Sequence, residues 1–169
     1  MRPGSCPPRR TARTSNPAGL LAADRASRTL DPPGTFSLHL PRALHDQLEQ
    51  RAAAAYPHEA CGLLVGRRGS SGEVLEVTEG ENVEADTDRY SLDPLHLLEV
   101  ERAARERGLE VVGVWHSHPD HDAVPGALDR AGALEGWSYL IVSVRAGAPS
   151  EARCWRATPA GLTEERLLP

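Results

Sequence analysis

The pattern of hydrophobic and polar positions changes at about residue 35. Residues 1–34 mix Pro, Arg, Ser, Thr, Ala and Gly without a sustained apolar period, which is typical of a segment with too little apolar surface to fold. We therefore expect a disordered leader at residues 1–34. A basic targeting peptide is the weaker interpretation, because Asp24 and Asp31 interrupt it. Residues 35–169 carry the periodic patterns of one folded domain.

Two stretches show the spacing of amphipathic helices. Apolar residues recur every three or four positions from Pro41 to about Ala55, and the following Tyr56-Pro57 predicts the end of that helix. The second stretch begins at Pro94 and runs through Arg107, with Gly108 as its predicted C-cap.

Several short segments instead have the pattern of strands, either alternating or continuously apolar. A Gly/Ser turn joins two of them and predicts a hairpin. This order of strands and helices favours a single-domain α/β sandwich with one central mixed β-sheet flanked by helices. The predicted strands are residues 36–40, 60–66, 73–77, 111–115, 139–144 and 152–156.

Composition and charge narrow the class of protein. The net charge of −5 disfavours a nucleic-acid partner, which usually requires clustered Lys and Arg. No apolar run approaches the roughly 18 residues of a membrane span, and the N-terminus lacks the apolar block of a secretion signal, so we expect a cytoplasmic protein. The three cysteines, Cys6, Cys61 and Cys154, form no CxxC pair and indicate neither a disulfide framework nor a Cys-rich zinc site; Cys61 is expected in the core.

The segment His116-Ser117-His118-Pro119 directly follows an apolar strand. Residues i and i+2 of a strand point to the same face, so both imidazoles are aimed at one point. A catalytic zinc site takes three protein ligands and leaves a position for water. Asp129, on a helix predicted at residues 127–134, is the candidate third ligand. Considered alone, an HxH pair at a strand end is often only two surface or hydrogen-bonded histidines.

Other polar residues flank these ligands in the sequence. Glu59, which precedes the apolar run 60–66, suits a carboxylate that takes a proton from an activated water and returns it to a leaving amine. The alternative is that Glu59 caps the strand at the surface. Asp120, His121 and Asp122 follow the second histidine, and we expect a solvated loop there rather than a second metal site.

Together these segments resemble the signature of the JAMM/MPN+ zinc metallopeptidases, particularly the short bacterial members. The resemblance rests on residues 56–64 (YPHEACGLL), 90–94 (YSLDP), 113–116 (GVWH) and the histidine motif with Asp129, and it covers the chain from about residue 36 to its C-terminus. It implies a cytidine-deaminase-like α/β fold and one Zn²⁺ per chain.

The resemblance also assigns roles to residues. It implies that His116, His118 and Asp129 hold the metal and that Glu59 acts on the bound water. The signature serine, which hydrogen-bonds the oxyanion in the family, falls at Gly126, which has no hydroxyl.

Four further residues complete the predicted site. The backbone N–H of Gly126 and the hydroxyl of Ser117 are candidate replacements for the missing oxyanion donor. Trp115 and His121 are the expected substrate contacts.

The function implied by the resemblance is cleavage of peptide or isopeptide bonds after the C-terminal Gly-Gly of a ubiquitin-like protein or a sulfur carrier of the ThiS/MoaD kind. A homodimer is compatible with this function, and no membrane partner is expected. The alternative is a catalytically weak, metal-binding MPN scaffold, which the glycine at position 126 favours. A third possibility is a DNA-repair role like that of RadC-type domains, against which the acidic charge argues.

Overall fold

The computed structural model describes residues 35–80, 82 and 91–169. The predicted leader at residues 1–34 and the Tyr90 end of the YSLDP motif lie outside the described residues. No helix in these ranges is long and apolar enough to cross a membrane. The helices are α1 Arg42–Ala55, α2 Pro94–Glu106 and α3 Ala127–Ala131, and the strands are β1 Ser37–His39, β2 Cys61–Arg67, β3 Ser71–Val77, β4 Glu110–Pro119, β5 Ser138–Arg145, β6 Ala148–Thr158 and β7 Gly161–Leu168.

The strands form one mixed sheet, as the sequence predicted. Neighbouring strands run in the order β1-β3-β2-β4-β5-β6-β7. β4 pairs with β5 in parallel, and β1 pairs in parallel with both β3 and β7, while the other pairs are antiparallel. The structure adds a feature that the predicted α/β sandwich did not include. Because both edges of the three-residue β1 are hydrogen-bonded, the sheet closes into a barrel and leaves no free edge there.

The predicted helix boundaries are confirmed for the two long helices. α1 ends at Ala55, directly before Tyr56-Pro57. α2 begins at Pro94, where the Asp93 side chain accepts a hydrogen bond from the Leu95 amide at 2.9 Å. Gly108 follows α2 with φ of +69°, the left-handed conformation that commonly ends a helix.

Each face of the sheet carries an apolar cluster covered by one long helix. On the first face, α1 contributes Leu48 and Ala52 to a core that includes Leu64 and Trp115. On the second face, α2 contributes Ala104 to a smaller core. The strand residues of this smaller core are Leu63, Val65, Val111, Val114, Tyr139 and Ala157.

A β-bulge in β4 determines which face the histidines occupy. Leu64 pairs with Gly113 but Val65 pairs with Val111, so Val112 is an extra residue in β4. Val111 and Val114 accordingly pack in the same cluster although they are three positions apart. Because one inserted residue inverts the alternation of a strand, the positions after the bulge that share the face of Val114 are those of His116 and His118. Both therefore lie on the α2 face.

The sequence analysis missed β7. This strand has the sequence GLTEERLL, which lacks both the apolar alternation and the continuous apolar run that indicate strands. In this strand the Glu165 side chain is buried, with only 2% exposed. The burial is tolerated because the Glu165 carboxylate binds the Arg156 guanidinium on β6, with Nε and Oε1 3.2 Å apart. A buried ion pair thus occupies a position where the pattern requires an apolar residue.

This pair generates a stability prediction with a control on the same two strands. Glu165→Ala leaves the buried Arg156 charge without its partner and should cost about 3–5 kcal/mol of the free energy of unfolding. Glu164 pairs with Arg153, but its side chain is 55% exposed, so Glu164→Ala should cost at most about 1 kcal/mol. Urea denaturation of both variants measures the difference. Equal losses would contradict the role given to burial.

Candidate metal centre

The two histidines of β4 meet as the strand geometry predicted. Their Nε2 atoms are 3.0 Å apart, the His116 side chain is fully buried, and the His118 side chain is 12% exposed. The strand therefore presents two imidazole nitrogens at one point, one of them shielded from water.

The helix α3 brings Asp129 to the same point. Its Oδ1 lies 3.3 Å from His116 Nε2 and its Oδ2 lies 3.8 Å from His118 Nε2. These three residues form one of two groups among the described residues that are close enough to share a metal ion. The other group, His45, Asp46 and Glu49 on α1, is part of a row of ion pairs on the helix surface.

The His116, His118 and Asp129 cluster fits a tetrahedral metal. Ligand atoms at about 2.0–2.1 Å from a tetrahedral zinc are about 3.3 Å from one another. The two imidazole nitrogens are 3.0 Å apart, and each has one Asp129 carboxylate oxygen within 3.8 Å. Burial lowers the pKa of His116 to about 3, an effect that Asp129 partly opposes and His118 reinforces. His116 is therefore neutral at pH 7, the protonation state that a metal ligand requires.

Backbone groups hold two of the candidate ligands in place. His118 Nδ1 lies 2.9 Å from the carbonyl oxygen of Asp122. Since a carbonyl can only accept, this contact places the proton on Nδ1 and leaves the Nε2 lone pair for a metal. Asp129 Oδ2 accepts a hydrogen bond from the Gly126 amide at 2.7 Å, which fixes the carboxylate at the start of α3.

Glu59 lies two residues before β2 and is 8% exposed. Cys61 of β2 pairs with His116 of β4. One residue further along, the Ser117 amide donates a hydrogen bond to the Ala60 carbonyl at 2.9 Å. Continuing this antiparallel register by one residue sets Glu59 opposite His118, with their side chains on the same face. The backbone carbonyl of Glu59 accepts a hydrogen bond from the Asn82 side-chain amide at 3.1 Å.

Ser117 and Trp115 occupy the opposite face of β4 from the two histidines. The Ser117 hydroxyl is buried and accepts a hydrogen bond from the Ala60 amide at 2.8 Å. The Trp115 indole is fully buried and donates to the Thr78 carbonyl at 2.8 Å. Neither side chain is among those that line the adjacent cavity, so the structure gives both residues roles in packing and strand register.

Gly126 is the N-cap of α3, with φ of −76° and ψ of −176°. This is extended backbone that any residue adopts. A Cβ at this position would meet only Asp129 Oδ2, at 3.4 Å. The Gly126 amide already donates to Asp129, so the structure does not leave it free for the proposed oxyanion. A serine side chain, in contrast, is sterically compatible.

A cavity of about 640 Å³ adjoins the cluster. Its lining includes Glu59, His118, His121, Gly126 and Asp129, which come from three stretches of the chain. Sequence patterns missed its exposed apolar residues Val124 and Leu128. Val124 lies in a loop and Leu128 on the five-residue α3, and neither segment is long enough to show a period. The remaining lining residues are Ser91, Leu92, Asp122, Ala127, Gly132 and Tyr139.

Most of the chain matches known proteins in sequence. Residues 41–158 match the model of a family described as prokaryotic homologs of the JAB domain. The chain is 32% identical to the CysO-cysteine peptidase of Mycobacterium tuberculosis, over 78% of this chain and 91% of the relative. It is 34% identical to a probable TtuB-protein conjugate cleaving protease of Thermus thermophilus, over 62% of this chain and 68% of that protein.

A solved structure supports the same assignment. Protein DSY2949 from Desulfitobacterium hafniense matches with a TM-score of 0.69 and 30% identity, covering 78% of this chain and 91% of that one. The matched family region contains both histidines of β4, Asp129 and Glu59. The chain belongs to the family of prokaryotic JAB-domain proteins.

Proposed function

We propose that this chain is a zinc-dependent peptidase that cleaves peptide or isopeptide bonds after the C-terminal Gly-Gly of a ubiquitin-like or sulfur-carrier protein. The observation that carries the proposal is the cluster of His116, His118 and Asp129 at a cavity that Glu59 also lines. Two relatives named for cleaving a protein conjugate and for acting on CysO-cysteine support this substrate class.

Zinc is the metal we propose, one ion per chain. His116, His118 and Asp129 supply nitrogen and carboxylate oxygen, the donor set typical of catalytic zinc sites with an open position. When bound there, zinc supplies Lewis-acid chemistry toward the scissile carbonyl and the attacking water.

The chain's own groups perform the proton transfers. Glu59 accepts the proton of the attacking water on its carboxylate and delivers it to the amine nitrogen that leaves when the C–N bond breaks. Its burial keeps bulk water from competing for that proton. The Asp122 carbonyl and the Gly126 amide hold His118 and Asp129 in position throughout, and His121 at the cavity is the proposed polar contact to the substrate.

Gly126 lacks the hydroxyl of the JAMM/MPN+ signature serine, and we expect this to slow the proposed enzyme. A serine hydroxyl donates to the carbonyl oxygen as it becomes negative, whereas the Gly126 amide donates to Asp129 instead. Losing one such donor costs about 10²–10³ in turnover where it has been measured in other hydrolases. This observation favours the second candidate, a metal-binding scaffold with weak catalysis.

The wider setting is part of the same proposal. We assign catalysis to residues 35–169 in a cytidine-deaminase-like arrangement, with residues 1–34 as a leader outside the domain. The net charge of −5 favours a protein partner over nucleic acid, and we place the reaction in the cytoplasm.

The metal assignment predicts one zinc per chain, measured by atomic emission on purified protein. His116→Ala and Asp129→Ala each remove a ligand and should lose the metal. The matched control is His45→Ala, which disrupts the second group of potential ligands on α1 and should keep it. Full zinc occupancy in Asp129→Ala, or its loss in His45→Ala, would contradict the assignment.

The role of Glu59 predicts a separation of metal binding from turnover. Glu59→Gln preserves side-chain shape and should keep the zinc, but the amide cannot accept the water's proton. Turnover should fall by a factor of about 10² or more while KM stays unchanged. Cleavage of a sulfur-carrier fusion, compared at equal zinc content, measures this, and equal activity of the two proteins would exclude proton transfer by Glu59.

Gly126→Ser should raise turnover by about tenfold or more, because the backbone tolerates the side chain and the hydroxyl restores a donor. Gly126→Ala is the control, since it adds the same Cβ without the hydroxyl. The alanine variant should also be less stable, because alanine is a poor N-cap. A rate increase in both variants would indicate a steric effect, and none in either would favour the scaffold.

A further inference from the structure

The turn after His118 is built around one residue, Asp120. Its Oδ1 accepts a hydrogen bond from the Ala146 amide at 2.9 Å, and its Oδ2 accepts one from the Tyr56 hydroxyl, also at 2.9 Å. Its own amide donates to the Val144 carbonyl at 2.7 Å, and its carbonyl accepts from Arg145 at 2.7 Å. The sequence predicted a solvated loop here. The residue is exposed, yet both carboxylate oxygens and both backbone groups are bonded within the protein.

The backbone at Asp120 is itself unusual. Its φ is +56°, a left-handed conformation that most L-residues avoid and that Asp and Asn adopt more readily. Such a conformation persists when the surrounding contacts determine it. The β5–β6 turn and the Tyr56 hydroxyl supply those contacts.

The turn orients one of the metal ligands. Two residues after Asp120, the Asp122 carbonyl contacts His118 Nδ1 at 2.9 Å. The intervening His121 carbonyl accepts a hydrogen bond from Ser143 at 2.6 Å, and Arg145 also binds the Asp122 carboxylate. Displacing Asp120 would therefore move the carbonyl that fixes the ring of His118.

The second partner of Asp120 leads to the other half of the site. Tyr56 packs against the α1 core and begins the short segment that ends at Glu59. Its hydrogen bond with Asp120 raises the pKa of the Tyr56 hydroxyl above its ordinary value, so this group is a donor at neutral pH. Neither Tyr56 nor Asp120 lines the cavity, so neither is placed to touch a substrate.

We propose that Tyr56 and Asp120 form a clamp that positions His118 for metal binding and ties its turn to the segment carrying Glu59. Both are positioning residues, which act through their neighbours. The inference rests on the proposed metal site, and its effect on turnover rests on the proposed peptidase function.

Three single variants of the full chain separate the clamp from backbone strain. Asp120→Gly keeps the left-handed conformation available while deleting both acceptor oxygens. Asp120→Asn keeps one acceptor oxygen and the tolerance of positive φ, and serves as the conservative rescue. Tyr56→Phe removes only the hydroxyl, and it remains informative where Asp120→Gly fails to fold.

The first measurement is the zinc dissociation constant, determined by competition with a chromogenic chelator. Loss of the group that orients a metal-binding histidine typically weakens metal affinity about 10–100-fold, and we expect this for Asp120→Gly. Tyr56→Phe should weaken zinc affinity less than Asp120→Gly does, and Asp120→Asn should bind zinc nearly as tightly as the wild type. The Tyr56→Phe/Asp120→Gly double variant should bind zinc no more weakly than Asp120→Gly alone, because Asp120→Gly already removes the hydrogen bond that Tyr56→Phe breaks. Wild-type affinity in folded Asp120→Gly and Tyr56→Phe, or additive losses in the double variant, would overturn the clamp.

The second measurement is kcat and KM for a sulfur-carrier fusion at saturating zinc. Misplacing Glu59 relative to His118 should lower kcat of Tyr56→Phe about tenfold with KM unchanged. A purely structural contact would change the melting temperature without changing kcat of the folded protein, and that result would overturn the tie to Glu59. If the wild type cleaves no fusion, the peptidase proposal fails, while the zinc constants still decide the clamp.

Discussion

The pairing of β2 with β4 sets which side chains meet at the site. In its register Cys61 lies opposite His116, and the next pair along joins Ala60 to Ser117 through two hydrogen bonds. A slip of one residue would move every side chain to the other face. The Ser117 hydroxyl lies on the face opposite the candidate metal ligands, yet it supports the site. Its hydrogen bond to Ala60 helps to fix the register that brings Glu59 beside His118. The bulge at Val112 is the second half of the same constraint, since it turns both histidines toward the α2 face.

The site also places several polar groups where water is largely excluded. His116 is fully buried and Glu59 nearly so, and burial of such groups is unfavourable unless they are neutral or well partnered. His116 meets this condition because burial lowers its pKa, so it enters the interior uncharged. The buried Arg156 and Glu165 meet it by pairing with each other. The same domain thus uses a neutral histidine at its candidate metal centre and charge pairing in the barrel wall.

The sequence was sufficient to predict the candidate site where one short segment determines how its side chains are oriented. The i and i+2 spacing of His116 and His118 predicts their convergence, and Asp129 on the next helix completed the cluster. It was insufficient where contacts are set by tertiary structure. A bulge at Val112 has no signature in a continuous apolar run, and a buried Glu165 makes β7 resemble a polar loop. Closure of the sheet by β1 depends on hydrogen bonds to β3 and β7, which no local pattern encodes.

Position 126 illustrates how one backbone group can serve only one purpose. An N-cap amide can bond the carboxylate of the third helical residue or an incoming oxyanion, and here it donates to Asp129. A serine at this position would add a hydroxyl donor, so the amide could keep its bond to Asp129 while the hydroxyl served the oxyanion. With glycine, the amide bond to Asp129 is retained and no side-chain hydroxyl is present at this position. On the proposed function, metal binding and turnover are therefore separable, because the groups that support the candidate ligands differ from the group that would stabilise the oxyanion.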